Sequence, residues 1–111
     1  METINDDIIQ AYKFNHDFSI NEIYIKNNVK EIGQCAFFRC INLSKVDFEE
    51  NSKLKVIRTN AFYTCLSLTK ICIPDSVVEI EEECFHRCYN LNEVILPKNL
   101  TVIKSLTFDH C

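Results

Sequence analysis

Residues 20–40 read INEIYIKNNVKEIGQCAFFRC, and the same pattern returns as LSKVDFEENSKLKVIRTNAFYTC at 43–65, LTKICIPDSVVEIEEECFHRC at 68–88 and LNEVILPKNLTVIKSLTFDHC at 91–111. Two residues join each unit to the next. Ile32, Ile57, Ile80 and Ile103 therefore fall 25, 23 and 23 positions apart. Phe37, Phe62, Phe85 and Phe108 keep those spacings, as do Cys40, Cys65, Cys88 and Cys111. An internal period of 20–30 residues is the mark of a solenoid, in which no unit can bury its apolar face alone. The single 25 comes from two extra residues around Glu49–Ser52. Upstream, Ile9 and Phe14 lie 23 positions before Ile32 and Phe37. Residues 1–19 thus read as a degenerate leading repeat or cap, and 20–111 as the solenoid of about four repeats.

Each unit opens with alternating apolar residues, as in Leu43, Val46 and Phe48, or Leu68, Ile71 and Ile73. Alternation with many β-branched residues predicts a short strand. Stacked rung over rung, such strands pair in parallel roughly 4.8 Å apart. A second piece, Val29–Ile32 or Val77–Ile80, is expected on the opposite wall, leading into a turn that holds the Phe and Cys. Pro74 and Pro97 follow their strands, where a missing N–H costs little.

The pattern L-x-x-I-x-I-P-x-x-V-x-x-I-x-x-x-x-F-x-x-C-x-x-L resembles the 23-residue BspA-type leucine-rich repeat over residues 20–111. The resemblance implies an α/β-type repeat solenoid: a short right-handed coil with a parallel β-sheet on the concave face and turns, short strands or 3-10 pieces on the convex face. The family usually has Gly after the second Ile and Ala before the Phe. Here Arg58, Glu81 and Lys104 stand at the position of Gly33, while Cys84 and Thr107 replace Ala36 and Ala61. These changes are expected to loosen the turns and leave the core columns intact. The resemblance further implies surface-associated adhesion or partner binding, with no catalytic residues.

One domain's worth of chain, 111 residues, carries a formal charge of -4. That balance argues against nucleic acid or an anionic membrane surface as partner, since both demand clustered positive charge. Lys53, Lys55 and Arg58 are the nearest approach to a basic patch and read as a solvated turn. The acidic start METINDDIIQAYKF is no secretory signal, and no stretch is long enough to insert in a bilayer. These features point to the cytosol, whereas the family resemblance points to a cell surface.

Seven cysteines invite a disulfide or metal reading. Four share one column, however, and free Cys packs as a small buried hydrophobe. Stacked side chains that point the same way suit a disulfide badly. Cys84, His86 and Cys88 form C-x-H-x-C, which is not a zinc spacing. Two core-lining thiols and a surface His are the expectation there, with thiol redox or metal chemistry at Cys72 or Cys84/Cys88 as the alternative. One glycine rules out a phosphate-cradling loop. Glu81, Glu82 and Glu83 read as a solvated face. No enzyme signature and no cofactor site emerge.

Function is therefore expected on the outward positions of the strands. One column reads Glu22, Lys45, Lys70, Glu93, with opposite charges paired at both ends. The next reads Tyr24, Asp47, Cys72, Ile95, in which Tyr24 and Ile95 are expected to be exposed anchors for a protein partner. Asn42, Ser67 and Asn90 precede the strands and are expected to bond turn backbone from rung to rung. Asn42 and Asn99 also match glycosylation acceptors. The C-terminal rung, without a polar cap, is expected to offer an open edge for end-to-end self-association or for further repeats.

Overall fold

The computed structural model describes residues 1–105 and 107–111. Its strands are β1 (Glu2–Ile4), β2 (Ile8–Ile9), β3 (Glu22–Ile25), β4 (Glu31–Ile32), β5 (Lys45–Phe48), β6 (Val56–Ile57), β7 (Lys70–Cys72), β8 (Glu79–Ile80) and β9 (Glu93–Ile95). Odd-numbered strands form one wall of a coil and even-numbered strands another. All pairing is parallel. Glu22 lies opposite Lys45 and Lys70 opposite Glu93 on the long-strand wall. Glu31, Val56 and Glu79 align on the short-strand wall, which a bridge from Ile80 to Ile103 extends. Strands on both walls replace the expected α/β character: among the described residues no α-helical or 3-10 segment occurs.

The turn that carries each Phe shows why no helix forms. Two residues four apart adopt left-handed backbone in successive units: Tyr12 and His16, Cys35 and Arg39, Asn60 and Thr64, Glu83 and Arg87. Each left-handed residue stops a right-handed turn from propagating. Between them the backbone bonds the next rung instead. Phe37 N–H donates to Ala61 O at 2.8 Å, Phe62 N–H to Cys84 O at 2.8 Å, and Phe85 N–H to Thr107 O at 2.9 Å. These turns thus supply a third line of rung-to-rung hydrogen bonds.

Inside, the Phe column is continuous. Ring centroids of Phe14, Phe37, Phe62, Phe85 and Phe108 follow one another at 5.3, 5.1, 5.3 and 5.4 Å, nearly parallel. Offset stacking of this kind contributes roughly 0.5–1.5 kcal/mol per pair beyond area burial. Ile23, Ile32, Ile57, Ile71 and Ile80 are buried beside them. Leu54 fills the slot that Val29 and Val77 fill in neighbouring rungs, which absorbs the two extra residues of its unit without disturbing the core. Leu96 departs from expectation: it is 41% exposed, because β9 is the outermost strand of its wall.

The leading unit is more regular than its sequence. β1 pairs with β3 and β2 with β4, placing Ile4 and Ile9 in the core. Nor do the glycine replacements at Arg58 and Glu81 loosen their turns. Gly33 N–H donates to Ile9 O at 2.8 Å, and the Arg58 and Glu81 N–H groups make the same bond, to Ile32 O and Ile57 O, at 2.9 Å. Glycine is required only at Gly33, where an added Cβ would lie 2.6 Å from both Ala11 N and Ile9 O.

The long-strand wall is interrupted. β1, β3 and β5 form one sheet and β7 and β9 another, with no ladder joining β5 to β7. This break coincides with the 25-residue unit. Its bulge ties back to the preceding rung through Asn27 N–H to Glu49 Oε1 at 2.8 Å, Asn27 Nδ2 to Glu50 O at 3.2 Å and Lys53 N–H to Asn27 O at 3.0 Å. On the other side, Pro74 lacks the N–H that Lys26 and Glu49 donate to Ile4 O and Ile25 O, each at 2.9 Å. Pro97 lacks it too, yet β7 and β9 pair in full register, so the bulge rather than proline opens the wall.

Candidate functional site on the long-strand wall

The strand register sets the outward columns side by side. Glu22, Lys45, Lys70 and Glu93 are all exposed. Lys70 Nζ reaches Glu93 Oε2 at 3.5 Å, as expected, but Lys45 turns to Asp47 Oδ2 on its own strand at 3.4 Å rather than to Glu22. Such exposed pairs contribute only about 0.2–1 kcal/mol each. Their effect is to leave a charge-balanced surface.

In the second column Cys72 is exposed and Ile95 is 46% exposed, while Tyr24 and Asp47 are half-buried. Tyr24 is therefore less available than expected. Strands flank it on both sides, with Thr3 and Asp47 in register, and Lys26 Nζ sits 5.9 Å from its ring centroid. Ile95 is open because, among the described residues, β9 pairs with β7 alone.

A shallow hollow of about 700 Å³ lies over the break in the wall, lined by Glu22, Tyr24, Ser44 to Phe48 and Thr69 to Cys72. A second hollow of about 380 Å³ shares Phe48 and Cys72 with it and continues between the bulge and Pro74 to Ser76. Sequence reasoning located the outward residues but not this depression, whose only trace was the anomalous spacing of 25.

The other candidate chemistry is dispersed. All seven cysteines are free. The column thiols are not merely apolar filler: Cys40, Cys65, Cys88 and Cys111 donate to the carbonyls of Phe14, Phe37, Phe62 and Phe85 at 3.0, 3.3, 3.0 and 3.0 Å. Burial pushes the Cys40 and Cys111 thiols up to about 11, and pushes Cys65 and Cys84 upward as well. Cys84 points at Arg58 O and Glu81 O, away from Cys88. His86 is buried rather than on the surface, stacked on Tyr63 at 5.2 Å in a second aromatic column that includes Phe38. Among the described residues no group of three His, Cys, Asp or Glu side chains is placed to hold a metal ion.

The remaining polar groups are structural. Arg58 bridges Glu31 at 3.1 Å and Glu81 at 2.9 Å, which raises its pKa further and takes it out of any basic patch. Glu81 also accepts from Thr59 N–H at 3.1 Å, so it is not simply a solvated carboxylate. Asn42 Nδ2, Ser67 Oγ and Asn90 Nδ2 donate to Phe18 O, Ile41 O and Leu66 O at 2.8, 2.7 and 2.7 Å, as their column predicted.

Residues 7–111 match the family model described as BspA type leucine rich repeat region, in six copies. No curated protein sequence matches the chain. Among solved structures, the Leucine Rich Repeat protein of T. pallidum is similar, with a TM-score of 0.86 and 30% identity over 92% of this chain and 47% of that one. A leucine rich cell surface protein from Faecalibacterium prausnitzii gives 0.83 and 34% over 100% of this chain and 29% of its own length. A leucine-rich repeat protein from Bacteroides capillosus gives 0.73 and 28%, over 85% and 74%. The chain thus spans less than half of the first two proteins.

Proposed function

Because this chain belongs to the BspA-type leucine-rich repeat family, we propose that it is a noncatalytic recognition module that holds a protein partner against its long-strand wall. The observation carrying this reading is that Glu22, Tyr24, Lys45, Asp47, Lys70 and Cys72 line one hollow on this wall, with Glu93 and Ile95 in register beside Lys70 and Cys72. Short parallel strands stacked as rungs give such a module an extended binding face. Free and balanced charges there would set register with a partner, and Ile95 would supply an apolar anchor.

The likeness to a leucine rich cell surface protein supports a surface setting. Seven free thiols favour a second reading, an intracellular scaffold using the same wall, because reducing compartments keep thiols unpaired.

The test is a pull-down comparing the chain with a variant carrying Tyr24→Ala, Lys45→Glu, Lys70→Glu and Ile95→Ala. A second variant, Val78→Glu with Glu82→Lys, alters the opposite side as control. Partners lost with the first variant and kept with the second support the reading. A partner set indifferent to the first variant overturns it.

A further inference from the structure

We propose that the turn side of the coil is a second docking surface, which takes an acidic segment of another protein through Arg39 and Arg87 and the aromatic and apolar side chains beside them. This surface is distinct from the long-strand wall, and the proposal stands whether or not that wall binds a partner.

Three observations meet there. First, the turn side carries unneutralised positive charge in a chain whose formal charge is -4. His16, Arg39, Thr64, Arg87 and His110 occupy one repeat position and share a left-handed backbone. The first four donate their N–H groups to the next rung, at Phe38 O, Tyr63 O, His86 O and Asp109 O, so the five form one file. Arg39 and Arg87 are exposed, and among the described residues neither lies in an ion pair. Nearby carboxylates are engaged elsewhere. Asp17 accepts from Ser19 N–H at 2.9 Å, and Asp109 lies 3.5 Å from His86 Nδ1 and 3.3 Å from His110 Nε2.

Second, an aromatic ladder flanks this file with its ring faces covered. Phe38 stacks between His16 at 5.6 Å and Tyr63 at 4.8 Å, and Tyr63 stacks on His86 at 5.2 Å. Phe38 and Tyr63 are half-buried, so what they offer solvent is ring edge. Edges carry the positive end of the aromatic quadrupole and add to the arginines' attraction for a carboxylate. Covered faces also decide against nucleic acid, whose bases bind by stacking on free rings. Two arginines fall short of the roughly four to eight basic residues that hold a protein to an anionic membrane.

Third, an apolar file runs on the other flank. Phe18, Ile41, Leu66 and Tyr89 recur at spacings of 23, 25 and 23. Phe18 and Tyr89 are each 55% exposed, and Ile41 and Leu66 are half-buried. Arginine clusters read acidic motifs, and Tyr and Arg are the side chains that most often anchor interfaces. The fitting partner therefore mixes acidic with apolar residues. Two rungs separate Arg39 from Arg87, roughly 10 Å at about 4.8 Å per rung, so two of its carboxylates must stand about that far apart.

The whole chain serves as bait for a phage-displayed random dodecapeptide library, with a fluorescent thymidine dodecamer titrated in parallel. Selected peptides are expected to carry at least two Asp or Glu residues together with Leu, Phe or Tyr. Their affinity should fall about tenfold or more with Arg39→Glu plus Arg87→Glu, and about threefold with Phe18→Ala plus Tyr89→Ala. Glu83 already holds the left-handed backbone that Arg39 and Arg87 adopt, so the first variant should keep the wild-type urea midpoint. With the unaltered chain, a tenfold rise in salt should weaken binding about fivefold or more, a readout that depends on no variant's folding. Lys45→Glu with Lys70→Glu should leave affinity unchanged. A library that yields no binder, or binders without acidic residues, would overturn the proposal. So would affinity insensitive to salt or to the arginine exchange, or tighter binding of the thymidine dodecamer than of any peptide. Peptides lost on Lys45→Glu with Lys70→Glu, yet indifferent to the arginine exchange, would sink this surface while leaving the long-strand wall standing.

Discussion

The thiol of Cys65 donates to the carbonyl oxygen of Phe37 across 3.3 Å, tying one rung to the turn of the rung before it, 28 residues earlier in the chain. Both groups are buried, so the bond operates away from competing water. Cys65→Ala should remove the donor and leave a small void, costing about 1–3 kcal/mol. Cys65→Ser, which keeps a donor, should cost less. Urea midpoints with unchanged m-values would verify the order, and equal losses would mean the slot is purely steric.

Phe62 is the middle ring of the column, stacked on Phe37 at 5.1 Å and Phe85 at 5.3 Å. Phe62→Ala should cost about 3–5 kcal/mol, enough to unfold a marginal repeat array. Among the described residues Phe108 stacks on Phe85 alone and is half-buried, so Phe108→Ala should cost distinctly less. Thermal melts of the two variants decide the matter.

Gly33→Ala should destabilise the leading rung specifically. The new methyl would meet backbone atoms Ala11 N and Ile9 O, each 2.6 Å away, and backbone cannot yield as a flexible side chain would. The expected signature is faster amide exchange at Tyr12 and Phe14, whose N–H groups bond Gln34 O and Ala36 O, with Phe62 unaffected. Uniform loss of protection along the chain would contradict this.

Thr64 holds a left-handed φ of 57°, an unfavourable state for a β-branched residue. Asn tolerates that region better, and Asn60 already occupies it in the same turn. Thr64→Asn should therefore raise stability by about 0.5–1 kcal/mol, measurable as a higher urea midpoint.

Glu49 accepts the Asn27 N–H at 2.8 Å and Lys26 Nζ at 3.1 Å, which together hold its pKa below the usual carboxylate value. A folded-state pKa below the unfolded one gives stability that is fully present above the unfolded value and is lost as pH falls through the folded value. The advantage of the wild-type chain over Glu49→Gln should thus hold near neutrality and begin to decline once pH falls below the ordinary carboxylate value of about 4.3. Chemical denaturation at several pH values checks it, and a constant difference would refute the assignment.

Much of this architecture could be read directly, because each core column is one slot filled by one residue type at a fixed spacing. Ile32, Phe37 and Cys40 announced their rungs for that reason. β1 escaped notice because Ile4 pairs with Ile25 at a spacing of 21 rather than 23. The outer column of Phe38, Tyr63 and His86 was missed because its members share ring shape and not identity. The left-handed pairs flanking each Phe were equally silent, since Cys35, Asn60 and Glu83 have no side-chain property in common.

The amino-acid order alone determined the repeat, the parallel walls and the outward identity of Glu22, Lys45, Lys70 and Glu93, since periodic burial fixes which way each side chain must face. It also recorded that one unit is two residues too long. Only the folded chain decided what that excess does. The bulge at Glu49–Ser52 spends its hydrogen bonds on the preceding rung, and β5 and β7 are left without a ladder. Hydrogen bonding between rungs depends on the relative placement of two backbones, a quantity that no spacing within one of them contains.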